Sequence, residues 1–98
     1  MNEFYVGGTY YYVLFENNNA APYIDTLVYV GTNINHNGRI LAQDGEYCFQ
    51  DYTSFGKYGL ITEVADFSNK EDIRIKVVDE RACSLIYRYE DLPNLFDR

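Results

Sequence analysis

The chain has 98 residues and a net charge of −7 at neutral pH, with 15 acidic residues against 8 lysines and arginines. Such a length accommodates one domain, so residues 1–98 are treated as a single folding unit. The excess of carboxylates repels phosphate backbones and anionic lipids. This argues against direct nucleic-acid or membrane binding and favours a basic protein surface as the partner.

Tyrosine is the most informative residue type, since the chain has eleven tyrosines and no tryptophan. The tyrosine side chain carries a large apolar ring and a polar hydroxyl on only two torsions. It can therefore complete a small core and also contact a partner at low entropic cost. This composition is typical of a binding protein and favours recognition over catalysis.

Cysteine usage and the lack of targeting segments indicate the compartment. Cys48 and Cys83 are 35 residues apart and form no CxxC pair. We expect both to be reduced thiols in the core, because their spacing suits neither a disulfide scaffold nor a zinc site. No segment resembles a secretion signal or an apolar span of about 18 residues. The sequence thus predicts a cytoplasmic protein that folds alone or as a small homo-oligomer.

The first part of the chain has the two-residue apolar period of β-strands. Residues 9–15 are a run of strand-forming side chains, and residues 16–22 have the composition of a loop. Residues 23–32 alternate strictly, which predicts a long strand with one buried face. The Asn37-Gly38 dipeptide predicts a two-residue hairpin turn, with residues 39–42 as the returning strand.

A second turn is predicted at Asp44-Gly45, before an alternating strand over residues 46–52. The pattern then weakens from residue 53 to residue 69. A helical turn can begin at residues 53–55 and be broken by Gly56 and Gly59, while residues 60–67 suit either a short helix or an edge strand.

Periodicity returns near the end of the chain. Residues 72–78 alternate with Ile73, Ile75 and Val77 on one face, and residues 82–89 also alternate. Residues 90–96 have the spacing of a single helical turn that caps the sheet. The predicted fold class is mainly β, with α+β as the alternative. We expect a small curled antiparallel sheet or an SH3-like barrel with a short C-terminal helical turn.

Two patterns suggest a metal or catalytic site without satisfying the chemistry. Asn33, Asn35, Asn37 and Asp44 have the spacing of a calcium loop, but it holds one carboxylate where several are needed, so a hairpin turn is favoured. His36 is the only histidine and lies in that turn, where we expect it to be exposed and uncommitted. The sequence therefore predicts no metal, no cofactor and no enzymatic activity.

The candidate binding residues are acidic and tyrosine side chains around the second predicted turn and the segment after it. They are Asp44, Glu46, Asp51, Tyr52 and Tyr58. Carboxylates would steer the encounter with a basic partner, and tyrosine rings would supply the contacts that hold it. The basic side chains are interleaved with acids along the chain, so the sequence alone predicts no basic patch.

In size and charge the chain resembles the inhibitors that phages use against bacterial defence systems and the immunity proteins that neutralise toxins. This resemblance covers no motif and transfers no residue. It implies a non-enzymatic inhibitor or adaptor that occupies a basic surface of another protein. Two alternatives stay open: a module that sequesters a small ligand or nucleotide in a tyrosine-lined pocket, including one at an oligomer interface, and a structural subunit.

Overall fold

The computed structural model describes residues 3–15, 22–36, 38–64, 70 and 72–93. Within these residues the chain forms five strands, one α-helix and three short 3-10 helices. The strands are β1 (Thr9–Leu14), β2 (Tyr23–His36), β3 (Arg39–Asp51), β4 (Ile75–Val78) and β5 (Ile86–Tyr87), and the helix is α1 (Tyr52–Tyr58). The 3-10 helices are Ile61–Glu63, Ala82–Leu85 and Tyr89–Asp91. The predicted loop at 16–22 lies almost wholly outside the described residues.

All five strands belong to one antiparallel sheet, in the order β4-β3-β2-β1-β5. The sheet is strongly curled, as a contact between two non-adjacent strands indicates: the Lys76 ammonium of β4 lies 4.0 Å from the ring centre of Tyr12 on β1. In a flat sheet, strands three positions apart are separated by about 14 Å. The mainly β prediction is confirmed in its curled-sheet form, and the architecture is a half-barrel.

The hairpin between β2 and β3 confirms the first predicted turn and corrects the second. His36 pairs with Arg39, so two residues connect the strands, and Gly38 has a φ of 78°. The predicted strand break at Asp44-Gly45 is wrong, because β3 continues through these residues as a bulge. The positive φ of Gly45, 84°, lets the backbone absorb the extra residues without ending the strand.

The sheet buries apolar side chains on both of its faces. The concave cluster comprises Tyr10, Leu27, Tyr29, Phe49, Val78, Cys83 and Ile86, with Phe4 packed against it. The convex cluster comprises Val30, Ala42, Cys48 and Ile61. The prediction that residues 23–32 bury one face is wrong, since Leu27, Val28, Tyr29 and Val30 are all buried. Segments distant in sequence cover the second face.

Three local predictions in the second half of the chain need correction. Gly56 does not break the helix, because α1 runs through it and ends at Gly59, whose φ is 85°. The first half of the strand predicted over 82–89 is a 3-10 helix, Ala82–Leu85, and only the two residues of β5 are a strand. On β4, Val78 is buried and Val77 is 39% exposed, so the predicted buried face is reversed at its end.

The predicted C-terminal turn and the cysteines agree with the structure where it describes them. A 3-10 helix occupies Tyr89–Asp91, while residues 94–96 of the predicted turn lie outside the described residues. Cys48 and Cys83 are free thiols buried in the convex and concave clusters. Burial raises the pKa of Cys48 to about 12 and that of Cys83 to about 11. Among the described helices, none has the length and apolar character needed to cross a bilayer.

Candidate functional site

The structure divides the five predicted binding residues between two regions. Asp44 and Glu46 lie on the bulge of β3, whereas Asp51 precedes α1, and Tyr52 and Tyr58 are its first and last residues. Glu46 and Asp51 are five residues apart on one strand, a separation of about 17 Å at 3.3 Å per residue. The two regions are therefore distinct surfaces.

The first region gathers carboxylates at the end of the half-barrel where β4 finishes. Tyr47 pairs with Val78, so Glu46 and Asp79 adjoin each other just beyond that pair. We call this surface the acidic end and define it by Glu3, Asp44, Glu46, Asp79 and Glu80. Arg81, next to Glu80, offsets only part of the negative charge.

Two aromatic side chains, Tyr47 and Phe4, adjoin the acidic end. The Tyr47 hydroxyl donates a 2.8 Å hydrogen bond to Glu80, and this bond, aided by burial and the negative charge of Glu80, raises the pKa of Tyr47 to about 12. The ring of Phe4 lies 5.6 Å from that of Tyr47. The next residues, Tyr5 and Val6, are 71% and 62% exposed. The segment that carries the exposed Tyr5 thus reaches the end of the sheet where Tyr47 holds Glu80.

The second region is a cleft of about 550 Å³ at the opposite end of the concave face. Leu27 forms part of its lining and also belongs to the concave cluster, and the Tyr23 ring stands at 54% exposure. The charged side chains that line the cleft are Asp25, Asp51, Asp72, Arg74 and Lys76. Because β2, β3 and β4 each contribute, the cleft exists only in the assembled sheet.

Asp51 is occupied by contacts within the chain. It caps α1 by accepting a 2.9 Å hydrogen bond from the Ser54 amide, and it also accepts from the Ser54 hydroxyl and, at 2.8 Å, from the Arg74 amide. Burial alone would raise the pKa of Asp51, but the hydrogen bonds outweigh burial, and the pKa lies below the usual value. Asp51 therefore joins α1 to the start of β4.

Asp72 is occupied in the same way. It accepts 2.9 Å hydrogen bonds from the Lys57 ammonium and the Tyr58 hydroxyl. Both contacts lower the pKa of Asp72. The Asp72 charge is balanced by the Lys57 ammonium, whereas Asp51 keeps its negative charge and has its oxygens engaged by the Ser54 and Arg74 donors.

Basic side chains converge here, which the sequence did not reveal. Lys57 and Lys70 place their ammonium groups 5.1 and 5.3 Å from the Tyr58 ring centre. Arg74 and Lys76 line the cleft, and neither forms an ion pair with any residue that the structure describes. These four residues are half of the eight lysines and arginines in the chain. The sequence signal for this basic surface was the alternation of Arg74 and Lys76 in the predicted strand over residues 72–78, which puts both side chains on one face.

Replacing Asp51 with alanine is expected to lower the free energy of unfolding by about 1–2 kcal/mol, because the helix loses its N-cap. Asp51→Asn keeps an oxygen at the cap, so it is expected to retain more stability at neutral pH. Because the pKa of Asp51 is lowered in the folded state, its charge stabilises the fold fully above the ordinary carboxyl pKa. This stabilisation is lost as the pH falls through the folded-state pKa. Urea unfolding at neutral and acidic pH measures both effects; equal losses for the two variants would contradict the capping role.

The predicted surface histidine has a partner, and the expectation that it is uncommitted is wrong. His36 is half-buried, and its Nε2 lies 2.7 Å from the Val64 carbonyl oxygen, so this nitrogen carries the proton and donates. The contact joins the end of β2 to the segment after the 3-10 helix at Ile61–Glu63. Across the described part of the chain, no group of three or more histidine, cysteine or carboxylate side chains is placed to hold a metal ion.

Comparison with known proteins found no protein family, no curated sequence and no solved structure that matches this chain significantly.

Proposed function

We propose that the chain is a non-enzymatic inhibitor or adaptor that binds a basic surface of another protein through its acidic end. The observation that carries the proposal is the meeting of acidic segments at one end of the sheet: strand pairing sets Glu46 beside Asp79, and the Phe4–Tyr47 contact brings the segment of Glu3 and the exposed Tyr5 there. Carboxylates on one end of a protein orient a basic partner during diffusion and raise the association rate. An exposed tyrosine beside them supplies apolar contact with little loss of side-chain entropy.

The predicted residues Asp44 and Glu46 belong to this proposed surface. Asp44 is exposed, and Glu46 accepts a 2.7 Å hydrogen bond from the Gln43 amide, which orients its carboxylate. Asp51 and Tyr58 have internal partners, whereas Tyr52 is 50% exposed. A partner that extended along β3 would reach Tyr52 as well, so its role stays a prediction.

Charge reversal at the acidic end is expected to slow association with the partner about tenfold or more, because exposed charges set the steering field. The experiment compares Glu3→Lys/Asp44→Lys with Glu63→Lys/Glu90→Lys, which changes the net charge equally at exposed positions elsewhere. Proteins captured from the native host by the unaltered chain are identified by mass spectrometry. Surface plasmon resonance then measures each chain against the purified partner.

Salt provides the second readout. Association of the unaltered chain is expected to slow as ionic strength rises, since exposed charges are screened beyond about 8 Å at physiological salt. Tyr5→Ala is expected to raise the dissociation rate, because a ring that becomes buried in the complex holds the partner after the encounter. Equal effects of the two charge-reversed variants, or association that does not respond to salt, would reject the acidic end as the binding surface.

A further inference from the structure

We propose that the cleft binds a mononucleotide, with the phosphate on Arg74 and Lys76, the ribose on Asp25 and the base on Tyr23. All four side chains line the cleft. The proposal is independent of the acidic end, which lies at the other end of the concave face.

The phosphate position follows from two cations that have no carboxylate partner among the described residues. The planar guanidinium of Arg74 matches phosphate oxygens in pairs, and the Lys76 ammonium adds a compact charge. The Lys76 Nζ lies 4.0 Å from the Tyr12 ring centre, so its place is set by a cation–π contact. The Arg74 backbone is held by the 2.8 Å hydrogen bond that its amide donates to the Asp51 carboxylate. The Lys76 ammonium and the backbone of Arg74 are thus held in place.

The carboxylates that line the cleft form no ion pair with Arg74 or Lys76. Asp51 accepts hydrogen bonds from Ser54 and Arg74 amides, and Asp72 is paired with Lys57 at 2.9 Å. Asp25 remains, with a long 3.4 Å contact from the Tyr23 hydroxyl. A carboxylate in this setting accepts hydrogen bonds from ribose hydroxyls, as acidic residues do in dinucleotide-binding folds.

Tyr23 offers the face for the base. Its ring is 54% exposed at the rim of the cleft, and aromatic rings stack on nucleobases with little dependence on the base. Leu27 adds an apolar wall that continues into the concave cluster. The site therefore offers an aromatic face, two cations and a hydrogen-bond acceptor, which match the base, the phosphate and the ribose hydroxyls of a nucleotide.

Size and charge select a single nucleotide over a polymer. The volume of about 550 Å³ lies within the range of small-ligand pockets. A strand of nucleic acid would extend beyond the cleft over a protein of net charge −7, which repels additional phosphates. Because the phosphate and the base contact different parts of the cleft, inorganic phosphate alone or a nucleoside alone is expected to bind more weakly than the nucleotide.

The test uses ribonucleoside 5′-monophosphates as probes, added one at a time to the purified chain, with adenosine, inorganic phosphate and a single-stranded RNA oligomer beside them. At least one monophosphate is expected to raise the melting temperature by several degrees, since a ligand that binds only the folded state stabilises it. Adenosine and phosphate are expected to give smaller shifts. No shift with any monophosphate, or RNA binding as tight as that of its monomer, would overturn the proposal.

Matched variants locate the site. Arg74→Gln is expected to weaken the affinity about tenfold or more in calorimetric titration, because a hydrogen bond to a charged group is lost. Lys76→Gln provides a second variant if Arg74→Gln alters the circular dichroism spectrum. Arg81→Gln makes the same charge change outside the cleft and is expected to bind normally. Equal weakening by Arg81→Gln and the two cleft variants would overturn the assignment.

Discussion

Replacing Gln50 with methionine is expected to lower the free energy of unfolding by about 3 kcal/mol, although the two side chains have similar lengths. Gln50 is fully buried. Its Nε2 donates to the Gly59 carbonyl at 3.0 Å and to the Ser54 hydroxyl at 3.1 Å, and its Oε1 accepts from the Ile61 amide at 2.9 Å. Methionine leaves the two backbone groups without partners, and each unpaired buried group costs about 1–3 kcal/mol.

Urea unfolding monitored by circular dichroism measures this effect. The slope m of the unfolding free energy against urea concentration shows whether the variant exposes the same surface area on unfolding as the unaltered chain. Gln43→Met is the matched control, because Gln43 is exposed on the same strand and its effect is expected to stay within about 0.5 kcal/mol. A loss below about 1 kcal/mol for Gln50→Met would mean that other groups or water replace the lost bonds.

Replacing Phe4 with alanine is expected to lower the free energy of unfolding by about 3 kcal/mol, the lower part of the range for truncating a core phenylalanine, because Phe4 is half-buried. Its ring centre lies 5.0 Å from that of Tyr10, 5.3 Å from Tyr29 and 5.3 Å from Phe49. The variant therefore removes ring contacts along with buried area, and the concave cluster loses its cover next to the acidic end.

Thermal or urea unfolding measures the loss, and near-ultraviolet circular dichroism reports the packing of the neighbouring tyrosines. Val6→Ala is the control in the same segment, since Val6 is 62% exposed and its truncation is expected to change stability by no more than about 0.5 kcal/mol. Similar stability losses for both variants would show that the segment contributes through its backbone instead of the Phe4 ring.

Local patterns in the sequence predicted the strands that lie in the middle of the sheet. The period of two placed β1, β2 and the second half of β3, and Asn-Gly chemistry placed the hairpin, which the pairing of His36 with Arg39 confirms. The same patterns failed at Asp44-Gly45, because a glycine with positive φ serves a bulge as well as a turn. They also failed over Ala82–Leu85, where alternation occurs in a 3-10 helix.

The candidate sites were less accessible from sequence than the strands. Asp44 and Glu46 were predicted and lie at the acidic end, but Glu80 joins them through the pairing of β3 with β4, and Glu3 through the packing of Phe4 on Tyr47. A tyrosine-lined ligand pocket was one alternative from the sequence, but among the residues that line the cleft only Asp51 had been predicted as a site residue. Its cations, Arg74 and Lys76, looked dispersed among acids in the linear chain, and the folded sheet brings both into the lining of one cleft.

The sequence by itself determined the antiparallel sheet, the hairpin turn and the negative net charge, because each depends on the identity and spacing of neighbouring residues. Only the tertiary structure decided which carboxylates have hydrogen-bond or ion-pair partners, where the aromatic rings lie and that the sheet encloses a cleft. Lys76 over Tyr12 and Phe4 against Tyr47 join segments far apart in the chain. Such contacts arise from the curl and long-range packing of the sheet, and the local apolar period carries no information about them.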